Sequence, residues 1–187
     1  MRITGLRYVP AYLHSAEHDT LLATVAGLEW HDVSGRRIQF YGHWFDVAKG
    51  GVYRVGDLPG WAALLAARFR DDGLMPYVAD QLIVTAYEPG EGIRPHVDAP
   101  IFADVIVGIA LGSSCVMEFQ RAGHDTQALF LEPRSAVVFS GDARHHWTHA
   151  IPARMDDEWQ GQHVRRSRRV SLTFRKMMQT GGEARTR

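Results

Sequence analysis

The chain carries two hydrophobic periodicities, one helical and one strand-like, in different parts of its length. In residues 15–26, Leu21, Leu22 and Val25 recur at the spacing of one helix face, with Ser15 in the capping position and Gly27 as the stop. A second stripe, Trp61, Leu64, Leu65 and Phe69, is opened by Asp57 and Pro59 and closed by Gly73. Both stripes predict helices laid on a sheet. From Gln81 onward the pattern changes to short apolar or alternating runs at 82–87, 105–111, 116–119, 128–131 and 136–139. Turn residues separate them, notably at 123–125 and 132–135, which predicts an antiparallel sandwich or barrel. Residues 1–10 predict one further short strand.

Length and composition narrow the picture. The 187 residues suit one domain over 1–178 whose core needs no disulfide, followed by a polar tail, 179–187, expected to be disordered. The single cysteine, Cys115, lies in an apolar run and reads as a buried small hydrophobe in a reducing compartment. No run approaches the roughly 18 apolar residues of a membrane span, and the N-terminus lacks the apolar core of a signal peptide. The expectation is a cytoplasmic protein with no membrane association. Lys and Arg number 21 and Asp and Glu 21, so overall charge does not announce a nucleic-acid binder. Such binding has to come from local patches.

Candidate chemistry begins at the loop that follows residues 81–87, where His96 and Asp98 stand two apart. In an extended segment they share a face, so an imidazole and a carboxylate converge on one point. That is two thirds of a 2-His-1-carboxylate facial triad, which leaves positions open on non-haem Fe(II). His145, His146 and His149 are candidates for the distant ligand, and strand parity does not choose among them. Residues 169–175 alternate strictly: Val170, Leu172 and Phe174 form an apolar face, while Arg169, Ser171, Thr173 and Arg175 form the other. Two guanidiniums about 20 Å apart at most along a strand can hold a small dicarboxylate beside a metal. The competing reading is a solvated edge strand. The segment 161–168, with His163, Arg165, Arg166 and Arg168, reads as a basic loop, either solvated or facing phosphates. Residues 36–47 read as an aromatic-rich hairpin led by two cations, or as a surface that stacks bases and holds phosphates.

Taken together, Tyr87-Glu88-Pro89-Gly90, His96-Val97-Asp98, the run from Arg144 through His145, His146, Trp147, Thr148 and His149 to Ile151, and the 169–175 strand resemble the AlkB family of Fe(II)- and 2-oxoglutarate-dependent dioxygenases. The resemblance extends over residues 36–177. It implies a mainly β fold with flanking helices, a double-stranded β-helix or jelly roll. It selects His149, in a Trp-x-His-x-Ile setting, as the third iron ligand with His96 and Asp98. It implies that Tyr87 hydrogen-bonds 2-oxoglutarate, that Arg169 pairs the distal carboxylate, and that Arg175 sits near the metal-binding end and Asp98, with Ser171 and Thr173 between the two arginines. Thr85 stands where the family commonly has Asn and offers a hydroxyl instead.

The resemblance further implies the cofactor set Fe(II), 2-oxoglutarate and O2, with oxidation of a C–H bond coupled to decarboxylation of 2-oxoglutarate to succinate. An N-methyl group so hydroxylated is lost as formaldehyde. The 36–47 run matches the family's nucleotide-recognition region, so the expected partner is nucleic acid, RNA or single-stranded DNA. Ala99-Pro100-Ile101 replace the acidic residues that follow His-x-Asp in the repair branch. The 101–119 segment looks closer to the branch that hydroxylates modified wobble uridine in tRNA. The alternatives are a dioxygenase for a protein or small molecule, and a non-catalytic jelly-roll binding module.

Overall fold

The computed structural model describes residues 3–33, 35–46 and 51–178; the expected disordered tail lies outside the described residues. The first half of the chain contains β1 (Leu6–Val9), α1 (Ser15–Ala26), β2 (His31–Val33), β3 (Arg36–Tyr41), β4 (His43–Asp46), β5 (Gly51–Arg54) and α2 (Gly60–Asp71). The second half is almost all strand: β6 (Gln81–Tyr87), β7 (Ile93–His96), β8 (Ile106–Gly112), β9 (Cys115–Gln120), β10 (Gln127–Leu131) and β11 (Ala136–Phe139). A short helix, α3 (Gly141–His145), then leads to β12 (Thr148–Ile151), β13 (Asp156–Trp159), β14 (Gln162–Arg165) and β15 (Arg169–Arg175). Among the described residues no helix is long and apolar enough to cross a membrane.

The strands assemble into a seven-stranded sheet, ordered β1-β11-β8-β15-β6-β3-β2, and a four-stranded sheet, ordered β10-β9-β12-β7. The two hairpins β4–β5 and β13–β14 stand beside them. Every strand pairing among the described residues is antiparallel, as the alternating runs predict, and the two faces form the jelly roll that the family resemblance implies. Apolar alternation puts a core on each side of the larger sheet. Leu82, Val84, Ala86, Val107, Ile109, Leu111, Val170, Leu172 and Phe174 pack outward with the helices, whereas Ile106, Ala110, Val137 and Phe139 pack inward with Met117, Phe119 and Trp147. Strand β15 therefore has one dry face toward the helices and one polar face toward the interior. Its partners are β6 and β8, so it is central and not a solvated edge.

Several local expectations are revised. Helix α1 covers the predicted residues and ends at Gly27, whose N–H closes the last turn on the carbonyls of Ala23 and Thr24. Its N-cap is His14 without a side-chain cap, and the Ser15 hydroxyl instead accepts from Arg134 Nη1 at 3.3 Å. Helix α2 buries Ala62, Leu65, Ala66 and Phe69, while Leu64 is 75% exposed. Leu64 lies roughly 150° round the helix from the centre of that stripe. The alanines let the helix approach the sheet closely, and Phe69 meets Phe174 edge-on at 5.0 Å. Residues 161–168 are not a free basic loop. They include β14, and Arg166 folds back to donate Nε and Nη2 to the buried Asp157 at 2.6 and 2.8 Å.

The revised stripe has a measurable consequence. Phe69→Ala is expected to cost about 3–5 kcal/mol, whereas Leu64→Ala is expected to cost less than about 0.5 kcal/mol. Urea unfolding of the two variants side by side measures the difference.

Candidate active site

The metal-ligand candidates come together where the smaller sheet faces the larger. Strands β7 and β12 pair so that His96 lies opposite His149, and a register shift before Ile151 allows Ile93 to lie opposite that residue. Gly92 makes this approach possible, because a Cβ there would sit 2.1 Å from the Ile151 carbonyl oxygen. The ring centroids of His96 and His149 are 4.3 Å apart, and Phe139 closes the other side of His149 at 4.9 Å. Asp98 Oδ2 is 3.6 Å from His149 Nε2. Each of His96, Asp98 and His149 offers one ligand atom, all within 4.8 Å of one another. His96 Nδ1–H donates to the Arg94 carbonyl at 2.8 Å, which leaves Nε2 with its lone pair for a metal.

Electrostatics hold Asp98 and His149 in their ligand forms. Burial pushes the Asp98 carboxyl up, but Arg175, His149 and His96 outweigh it and bring its pKa down to about 2. Burial pushes His149 down to about 4 against the opposing pull of Asp98. The result is a carboxylate beside a neutral imidazole. Arg175 donates Nε to Asp98 Oδ1 at 2.9 Å and adds a second bond from Nη2 to the same oxygen. With Oδ1 so engaged, Oδ2 is the oxygen turned to the histidines.

A second group of candidates lines the inner face of the larger sheet in register. Tyr87 lies opposite Arg169, Thr85 opposite Ser171, and Gln81 opposite Arg175, with Ile83 opposite Thr173. On the other flank Gly112, Ala110 and Gly108 face Arg169, Ser171 and Thr173. These small residues add no polar group to the lane that Arg169, Ser171 and Thr173 form. Arg169 is buried, its guanidinium 5.5 Å from the Tyr87 ring, and its Nε and Nη1 have no hydrogen-bond partner. A buried cation with unsatisfied donors costs free energy unless an anion completes it. A carboxylate supplied by a ligand fits this place, and the His-Asp-His donor set fits a divalent iron.

The structure separates the remaining candidates. His145 ends α3 and contacts Asp104 Oδ1 at 3.1 Å, and His146 is exposed; neither reaches the His96 cluster. Strand parity does not apply across His145, His146 and His149, because His145 belongs to α3 and β12 begins only at Thr148. Gln81, not among the residues singled out from the sequence, is fully buried; its Oε1 accepts from Arg175 Nη1 at 3.3 Å while Nε2 is unpartnered. Its signal was a polar residue at the head of an apolar strand, on the parity of Tyr87. The two cations that lead the aromatic run point apart. Arg36 shares the inner-face row of Tyr87, while Arg37 pairs with Ala86 on the opposite face and covers Trp30 at 5.3 Å. His31, Phe40, Trp44 and Tyr53 form a series of ring contacts at 6.5, 5.5 and 6.0 Å, and Phe40 lies opposite Ile83 on the pocket side.

A jelly roll with this pocket defines the class, and comparison with known proteins agrees. Residues 52–175 match the 2OG-Fe(II) oxygenase superfamily. The chain is 34% identical to an Arabidopsis thaliana protein described as an alkylated DNA repair protein ALKBH8 homolog, over 95% of this chain and 59% of the relative. It is 30% identical to the Macaca fascicularis tRNA (carboxymethyluridine(34)-5-O)-methyltransferase ALKBH8, over 94% of this chain and 31% of the relative. It is 31% identical to the mouse mitochondrial alpha-ketoglutarate-dependent dioxygenase alkB homolog 7, over 94% of this chain and 80% of the relative. The chain thus spans little more than half of the Arabidopsis protein and about a third of the macaque one. The solved structure of OsALKBH1 superposes with a TM-score of 0.73 at 13% identity, covering 94% of this chain and 98% of that one, a likeness of fold. The chain belongs to the 2OG-Fe(II) oxygenase superfamily, within its AlkB group, a family of dioxygenases that use Fe(II), 2-oxoglutarate and O2.

Two outcomes are expected. Arg169→Ala should raise the 2-oxoglutarate KM by about 10–100-fold, since a charge-assisted pair is removed; succinate release against 2-oxoglutarate concentration measures it. His149 has its pKa lowered from 6.5 to about 4, so between these values the unfolded chain takes up a proton that the folded chain excludes. Stability of the metal-free protein is therefore full above pH 6.5 and falls as pH drops to 4, with Asp98 adding a further loss from 3.8 toward about 2. Thermal melting in a chelator should follow that course, and His149→Gln should flatten the upper part.

Proposed function

We propose that this protein oxidises modified or alkylated bases in nucleic acid, with RNA, tRNA in particular, favoured over single-stranded DNA. The carrying observation is the aromatic series His31, Phe40, Trp44 and Tyr53, in which Phe40 stands opposite Ile83 on the face of β6 that also carries Thr85 and Tyr87. Aromatic faces next to a small polar pocket suit a base that has left its stack, and a single strand or loop presents such a base at lower cost than a duplex. The ALKBH8 relatives, named for tRNA and for alkylated DNA, support the same reading.

In this reading His96, Asp98 and His149 hold the iron from one side. Arg175 fixes the carboxylate of Asp98 so that one oxygen serves the metal. Arg169 pairs the distal carboxylate of 2-oxoglutarate, with Tyr87, Thr85, Ser171 and Thr173 along its length. Bound together, Fe(II), 2-oxoglutarate and O2 supply the oxidation of a substrate C–H bond, with succinate and CO2 as co-products. The chain's own part is to bury the reacting centre beneath Phe139 and Phe119 and to present the carbon of the base to it. If the carbon is an N-methyl group, its hydroxymethyl product releases formaldehyde and restores the base.

Succinate release by the iron-loaded protein with total tRNA, methylated RNA or methylated single-stranded DNA, followed by mass spectrometry of the bases, tests the proposal. Stimulation together with a base that loses a methyl group or gains oxygen supports it. Turnover that none of these stimulates transfers the activity to a protein or small-molecule substrate. Trp44→Ala is expected to weaken RNA binding by about 5–100-fold through loss of one stacking face. Binding is also expected to fall steeply with salt as phosphate contacts are screened; fluorescence anisotropy at several salt concentrations measures both.

A further inference from the structure

Asp98 lies beyond the end of β7, at His96, so no ladder hydrogen bond of that strand holds it. The segment that follows, residues 98–103, is tied at its far end to the chain after β15: Ala103 N–H donates to the Lys176 carbonyl at 2.9 Å and Met178 N–H to the Ile101 carbonyl at 2.9 Å. At its near end the backbone has a different support. Arg144, 2% exposed, donates Nη1 to the Asp98 carbonyl at 2.9 Å and Nη2 to the carbonyls of Ala99 and Phe102 at 2.8 and 3.2 Å. Nε approaches the Ala103 carbonyl at 3.5 Å.

A guanidinium in the interior normally meets a carboxylate, because an uncompensated buried charge is costly. Arg144 instead engages main-chain oxygens of one short segment, and no carboxylate lies in hydrogen-bond contact with it among the described residues. Its position in the chain adds to the point. It sits in α3, between β11 and β12, and β12 carries His149. The side chain thus joins the backbone of one candidate ligand to the segment that delivers another.

We infer that Arg144 is a positioning residue for the metal centre, a guanidinium that takes the place of the missing strand ladder and sets where Asp98 meets the ion. The inference rests on reading Asp98 as a ligand. Arg175 restrains the carboxylate and Arg144 the backbone beneath it, so the side chain is held at both ends. Outer partners of this kind typically change metal affinity by 10–100-fold when removed.

The test uses Mn(II), a redox-stable probe, titrated into the full chain by calorimetry without 2-oxoglutarate, well below the melting temperature of each variant. R144M is expected to raise the Mn(II) Kd by about 10–100-fold, and R144K, which keeps the charge and fewer donors, to fall between R144M and wild type. R144K carries the test if R144M does not fold. A role in folding alone would lower the melting temperature and leave the Mn(II) Kd of the folded protein unchanged; that result overturns the inference. D98A separates the two readings. If D98A abolishes Mn(II) binding while the folded Arg144 variants bind like wild type, the positioning role fails and the metal site stands. If D98A binds like wild type, the metal reading of Asp98 fails, and the inference with it.

Discussion

The ion pair between Arg175 and Asp98 joins the two sheets of this protein at the one place where its chemistry is assembled. Arg175 ends the central strand of the larger sheet, and Asp98 follows the edge strand of the smaller. Both side chains are nearly buried, at 10% and 7% exposure. Such a pair contributes little net stability, since desolvation offsets the attraction, but removal of one partner leaves a charge that the interior cannot solvate. Arg175 has no slack. It also donates to Gln81 and lies 4.9 Å from the Phe102 ring. The orientation of the carboxylate, and with it the geometry of the histidine cluster, depends on that fixed guanidinium.

The polar lane beside it exists because β15 is sided. Val170, Leu172 and Phe174 are drawn into the helix-covered core, and the period of two then forces Arg169, Ser171, Thr173 and Arg175 inward. On the neighbouring strand the inner face is Gly108, Ala110 and Gly112, where a Cβ on Gly112 would meet the Arg168 carbonyl oxygen at 2.5 Å and one on Gly108 the Val137 side chain at 3.1 Å, so the small residues let the main chain and the inner core pack closely there. A second buried carboxylate fixes the chain beyond this site. Asp157, buried between β9 and β14, accepts from Arg166, Arg154 and the Val116 N–H, which fully satisfies the carboxylate and holds its pKa below the usual range despite burial. That anchor fastens the hairpin through which the chain passes from β12 to β15.

On the substrate side, the aromatic series and the pocket are one surface. Ile38 and Phe40 of β3 stand opposite Thr85 and Ile83 of β6, so the inner face of the larger sheet continues into the rings that meet a base in the proposed reaction. Beyond Asp98 the chain offers Ala99, Pro100 and Ile101, none of which carries a charge.

Local patterns determined a good deal. Alternation marked the strands of the second half, and the strict period of 169–175 separated a core face from a polar face before any partner strand was known, because strand geometry itself assigns successive side chains to opposite sides. Spacing offered His96 and Asp98 only as a candidate pair, and the family resemblance added His149 to them. Only tertiary structure decided the rest. Whether the arginines of β15 meet water or an interior depends on the strands on either side, which no local pattern contains. His145, His146 and His149 were alike to periodicity until α3 turned the first two away. Leu64 and Leu65 differ only in which side of α2 meets the sheet, and Arg166 reads as a solvated cation until Asp157 is placed beside it. Arg144 shows the limit most plainly. Its acceptors are backbone carbonyls about 40 residues earlier in the chain, and a carbonyl has no letter of its own in a sequence.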